Sequence, residues 1–215
     1  MLGNDIVDYA IDEKKYTNPR FISRILNHKE QAYLAQADNP NCFLWSLWAA
    51  KEAAYKAVQR NNLTVIFSPL TFALTEQTLE QLIPADENRT LEGHIQFQDL
   101  ILELKFNWPK PEVVHCLACI KAKTNHWPHI KSQVDYRENL TTYQQQSEAV
   151  RLLAQNLLCQ HMINASIIRP NLSIQDYSKA GPPILIDRSS GEALPHIISL
   201  SHDRNCLAVA VYLAA

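Results

Sequence analysis

Three short segments concentrate side chains able to hold a metal or handle a phosphate. Gly3-Asn4-Asp5-Ile6-Val7-Asp8 sets two carboxylates among apolar neighbours, where an acid is costly unless it meets a cation. Trp48-Ala49-Ala50-Lys51-Glu52-Ala53-Ala54-Tyr55-Lys56-Ala57 reads as helix, and Trp48, Glu52, Tyr55 and Lys56 share one face of it. Ser199-Leu200-Ser201-His202-Asp203 puts hydroxyls and an imidazole at a strand end, where they can donate to an anion. Taken singly, each has a plainer reading: a solvated turn, an exposed Glu52–Lys56 ion pair, a surface histidine. Ser201-His202-Asp203 is no hydrolase triad, because consecutive residues cannot converge as a relay and no G-x-S-x-G elbow is present.

The elements that must position these groups follow from periodicity. Leu2 to Val7 reads as a strand. Asn18-Pro19 opens a helical stretch with Phe21, Ile22, Ile25 and Leu26 on one stripe and Arg20, Arg24 and Lys29 opposite. A second helix is predicted from about Cys42 to Arg60, rich in good helix formers and ended by Asn61-Asn62. β-type runs follow at Gly93 to Gln98, Leu100 to Phe106 and Val113 to Ala122. The last run contains Cys116 and Cys119, whose thiols would face opposite sides of a strand, so they read as buried structural cysteines. A polar stretch from about Thr124 to Gln146 reads as a linker. Beyond it Ser147 is expected to cap a helix carrying Val150, Leu153, Ala154 and Leu157. Gly181-Pro182-Pro183, a run at Ile184 to Ile186, and strands at His196 to Ser201 and Cys206 to Leu213 close the chain.

Bulk properties narrow the partners. The 215 residues, 47% hydrophobic with net charge −2, suit one large domain or two small lobes and carry no global field for nucleic acid. No apolar run approaches the roughly 20 residues a bilayer requires, and the N-terminus lacks the pattern of a signal peptide. Five cysteines, an odd count, suggest no disulfide framework and a reducing cytoplasm. The apolar pattern of His115 to Ile120 echoes that of Asn205 to Ala210. This echo suggests an α+β pseudo-dimer of two similar lobes, each an antiparallel sheet packed with helices.

In combination the three segments resemble the signatures of the 4′-phosphopantetheinyl transferase superfamily, G-x-D-[IV]-[VE], [WF]-[AST]-x-K-E-[AS]-x-x-K and [FS]-x-[IL]-S-H. The resemblance implies an enzyme that moves the phosphopantetheine arm of coenzyme A onto a serine of an acyl- or peptidyl-carrier protein. It implies that Asp5 and Glu52 ligate magnesium, with Glu52, or a water it orients, as general base. By the same resemblance Lys56 and His202 contact phosphates, Lys51 adds positive charge nearby, and Ser201 shapes the coenzyme pocket. Val7 stands where the larger enzymes of the family have a second acid, and Asp8 falls at an acidic position of the small type. Pro182 replaces the family's usual lysine, which turns 3′-phosphate binding over to Lys179 or Arg151. The helix bearing Arg20, Phe21 and Arg24 is the expected carrier dock.

Motif order matches the small, trimeric members, whereas the length matches the larger, two-lobed ones. The expectation is a monomer with residues 1 to about 125 supplying Asp5 and Glu52, residues 126 to 215 supplying His202, and the site between them. A single lobe with a long insertion and intersubunit sites is the alternative. Rival functions are an inactive relative that binds coenzyme A or carriers, an unrelated magnesium-dependent phosphohydrolase, and a purely structural interaction protein. For the second the sequence offers no clustered aspartates or Walker-type loop, and the third leaves the Lys51-Glu52 face unexplained.

Overall fold

The computed structural model describes residues 1–11, 14–84, 90–122, 125–174 and 177–214. In chain order the elements are β1 (Leu2–Asp8), α1 (Pro19–Ile25), α2 (His28–Leu34), α3 (Pro40–Gln59), β2 (Phe72–Leu74), α4 (Glu76–Leu82), β3 (Thr90–Phe97), β4 (Leu100–Lys110), β5 (Val113–Ile120) and β6 (Ile130–Tyr136). There follow α5 (Tyr143–Gln160), β7 (Ala165–Ile168), β8 (Asn171–Ile174), β9 (Tyr177–Ala180), β10 (Ile184–Asp187), β11 (Ile197–Asp203) and β12 (Cys206–Tyr212). The class is α+β, with antiparallel pairing throughout.

A five-stranded sheet runs in the order β1-β5-β4-β3-β2, and its register sets Asp5 opposite Cys116 and Asp8 opposite Val113. Helix α3 lies across it. Asn39 caps this helix by accepting the Cys42 N–H at 3.1 Å, and Pro40 pre-sets its first turn. Ala49, Ala50, Ala53, Ala54 and Ala57 are all fully buried, so the helix backbone can settle close to β1. Gly3 completes the approach: a Cβ there would stand 2.0 Å from the Ala53 carbonyl oxygen and 2.7 Å from the Ala57 nitrogen. This contact fixes the height of Asp5 against Glu52 and Lys56.

A three-stranded sheet, β11-β12-β6, is covered by α5. It rests on the β1–β5 edge of the first sheet through two small apolar clusters, Ile6, Val113, Cys206 and Ala208 in one, Leu2, Leu117 and Ala210 in the other. That is why β5 is buried on both faces. Cys116 and Cys119 are buried free thiols within it, and burial raises the pKa of both.

Two expectations need correcting. The stretch read as a linker contains β6, which is half-buried and becomes a strand by pairing with β12 from Tyr136↔Cys206 to Ile130↔Tyr212. Helix α5 begins earlier than Ser147: Thr142 caps it in a reciprocal box with Gln145, so the glutamine run forms its first turn.

Candidate active site

Among the described residues, edge strand β1 has no strand partner on its outer side. Its outward N–H groups are instead taken by side chains of β11: Asn4 N–H by Ser199 Oγ at 3.0 Å, Ile6 N–H by Ser201 Oγ at 3.2 Å, and Asp8 N–H by Asp203 Oδ2 at 2.9 Å. Arg60, the C-cap residue of α3, locks the same seam by donating to the carbonyls of Leu2, Pro183 and Ile198. The alternation of Ser199, Ser201 and Asp203 along β11 thus satisfies a sheet edge that would otherwise be bare.

At this seam the predicted residues converge. Lys56 Nζ lies 2.7 Å from Asp5 Oδ1 and 3.5 Å from Glu52 Oε2, and donates to the Asn4 carbonyl at 3.1 Å and to Ser201 Oγ at 3.3 Å. The Ser201 hydroxyl donates to Asp5 Oδ1 at 2.7 Å. His202 Nδ1 donates to Gln146 Oε1 at 3.0 Å, and its ring meets Tyr143 edge-on with centroids 5.0 Å apart. Asp5, Glu52, Lys56, Arg151, Ser201 and His202 all line one cavity of about 290 Å³, which Arg169 also borders.

The electrostatics follow from this crowding. Burial, with help from Glu52, pushes the Asp5 carboxyl up to about 7 against the opposing pull of Lys56. Burial works against the charge of Lys56, but Asp5 and Glu52 outweigh it and its pKa rises. Burial, reinforced by Lys56 and Arg169, lowers His202.

Other sequence-predicted residues lie elsewhere. Lys51 is fully buried on the other side of α3, bonded to Glu30 at 2.6 Å and to the Ile25 carbonyl at 2.8 Å, so it does not border the cavity. Asp8 sits on the opposite face of β1 from Asp5, its carbonyl accepting from Arg204 at 2.7 Å. Arg151, by contrast, lines the 290 Å³ cavity and spends one donor on the Ile167 carbonyl at 3.0 Å. The Lys179 side chain lies outside the described residues. On α1, Arg20 and Arg24 are exposed, while Phe21 lines a second cavity of about 450 Å³ with Trp45, Trp48, Lys15 and Glu52.

Two cationic groups were not anticipated. Arg60 follows Lys56 by one helical turn, a spacing that signals a shared face. Arg169 lies in the loop between β7 and β8, and nothing local in the sequence marks it. It borders both the 290 Å³ cavity and a neighbouring one of about 250 Å³ lined by Tyr55, Lys56, Arg60, Pro182 and Pro183. Among the described residues, three cations and no carboxylate line that smaller cavity, a setting for an anion.

Among the described residues no group of three or more His, Cys, Asp or Glu side chains converges. The donor set is two carboxylates, Asp5 and Glu52, joined through Lys56 at a cavity. Oxygen donors of that number suit a hard cation such as magnesium, which keeps water and phosphate in the rest of its shell.

A family model of the 4′-phosphopantetheinyl transferase superfamily matches residues 1–113, just over half of the chain, a segment that contains Asp5, Glu52 and Lys56. No curated protein gives a significant match. The chain belongs to the 4′-phosphopantetheinyl transferase superfamily.

Proposed function

We propose that this protein transfers the 4′-phosphopantetheine arm of coenzyme A to a serine of an apo acyl- or peptidyl-carrier protein and releases 3′,5′-ADP. The observation that carries this reading is the meeting of Asp5, Glu52, Lys56, Ser201 and His202 on one cavity, from opposite ends of a chain of this superfamily. In the reaction the serine oxygen bonds to the phosphorus that bears pantetheine. The bond from that phosphorus to the bridging oxygen breaks, and 3′,5′-ADP leaves with its electron pair. Asp5 and Glu52 would hold magnesium, which when bound would supply charge neutralisation at the phosphates.

The chain's own residues do the rest. Glu52 borders both the 290 Å³ cavity and the aromatic one, which suits it to take the serine proton, directly or through water. Lys56 stays cationic between the carboxylates and faces the phosphates. Arg151, Arg169 and Arg60 surround the path for the coenzyme's anionic groups. The carrier enters over Phe21, Trp45 and Trp48, where the buried Trp45 indole N–H has no protein partner among the described residues, with Arg20 and Arg24 steering an acidic surface.

We read the two sheets as two lobes, residues 1–125 and 126–215, in a monomer with one site between them. No helix among the described residues is long and apolar enough to cross a membrane. Incubation with coenzyme A, magnesium and several apo carriers, followed by intact-mass measurement, tests the activity. One added phosphopantetheine arm is expected; no addition to any carrier favours a binding-only protein.

A further inference from the structure

The Ser201 hydroxyl occupies an unusual position, because it joins the backbone of β1 to the carboxylate that β1 carries. Its oxygen accepts the Ile6 N–H at 3.2 Å and a Lys56 hydrogen at 3.3 Å. Both lone-pair directions are therefore used, and its single proton has one destination, Asp5 Oδ1 at 2.7 Å. Lys56 donates to the same oxygen at 2.7 Å. With two donors on Oδ1, the carboxylate cannot rotate freely. Its other oxygen, Oδ2, has no hydrogen bond among the described residues.

The geometry points to Ser201 as a positioning residue that clamps Asp5 Oδ1 and presents Oδ2 to a divalent cation. This rests on the reading that Asp5 and Glu52 hold magnesium. Ser201 is 5% exposed, so this role requires no direct contact with coenzyme A. Ser199, two residues earlier, provides an internal control. It makes the same contact with β1, accepting the Asn4 N–H at 3.0 Å, but no hydrogen bond joins it to Asp5. The two serines are therefore alike as joints between sheets and differ in the carboxylate clamp.

Manganese(II), whose free ion is counted by its electron paramagnetic resonance signal, tests the difference. Purified full-length wild type, Ser201→Ala, Ser201→Thr and Ser199→Ala are titrated, and each melting temperature is recorded. We expect Ser201→Ala to weaken manganese binding about tenfold, as loss of a bond to a ligating carboxylate does. Ser201→Thr, which keeps the hydroxyl, restores it. Ser199→Ala melts lower yet binds as wild type does. Unchanged binding by Ser201→Ala, or equal weakening in Ser199→Ala, overturns the clamp while leaving the metal reading intact. Absence of binding by wild type defeats the metal reading itself.

Discussion

Helix α3 carries two lysines five residues apart, each against carboxylate, and the surroundings of the two differ sharply. Lys51 is sealed. Its ammonium meets Glu30 and the Ile25 carbonyl, while Glu30 also accepts the N–H groups of Asn27 at 2.9 Å and Leu74 at 3.3 Å. Every polar group there has a partner and neither side chain touches solvent. Lys56 also meets carboxylates, but its pairs open onto cavities and Glu52 keeps over a quarter of its side chain exposed. Burial of charge is common to both regions. What separates a joint from a site is whether capacity for a ligand is left over.

Substitutions on each side should therefore fail in different currencies. The largest effect is expected for Glu52→Gln, which should lower phosphopantetheine transfer about a thousandfold in the mass assay with unchanged urea unfolding. Retained turnover would move Glu52 out of the chemistry. On the sealed side, Lys51→Met leaves Glu30 charged and buried, and should cost about 3–5 kcal/mol in urea unfolding. The turnover number of whatever remains folded should not change; a loss of stability below about 1 kcal/mol would show that the pair is not sealed.

A smaller and pH-dependent effect sharpens the contrast from behind β1. His115 is buried, with Nδ1 3.0 Å from Asn107 Oδ1 and Nε2 3.4 Å from Asn4 Nδ2. Burial, aided by Lys56, pulls it from 6.5 down to about 4. Its folded pKa lies below the unfolded one, so its contribution is full above pH 6.5 and is lost as pH falls through 4. Stability measured from pH 7 to 4 should fall more steeply in wild type than in His115→Gln, by about 3 kcal/mol over the range. Asp5 titrates in the same window with opposite sign, and the comparison cancels it. Parallel curves would assign the acid response elsewhere.

The contrast between the lysines also shows how far the sequence could be read. Glu52 and Lys56 lie one turn apart, so their shared face follows from helical spacing. Lys51 adjoins Glu52 in sequence, but one residue turns about 100° around a helix, which carries it to the far side. The body of α3 was plain from its alanines and leucines, and the strands from their apolar runs. Strand β6 was not, since Ile130–Tyr136 is mostly polar and owes its conformation to β12, some 70 residues on. Arg169 was hidden for a related reason: its position depends on the path of a loop. Ser201 was visible as part of a motif, yet its bond to Asp5 depends on how β11 meets β1.

The seam between β1 and β11 also dictates an order of events during synthesis. All strands of the first sheet are present once the chain has emerged to Ile120, and it can assemble while the remainder is still being made. Until Ile197–Asp203 arrives, the N–H groups of Asn4, Ile6 and Asp8 have no protein acceptors and the edge can recruit strands from neighbouring chains. A nascent chain stalled short of β11 should therefore be both inactive and prone to aggregate, and the late strand that brings His202 also ends that exposure.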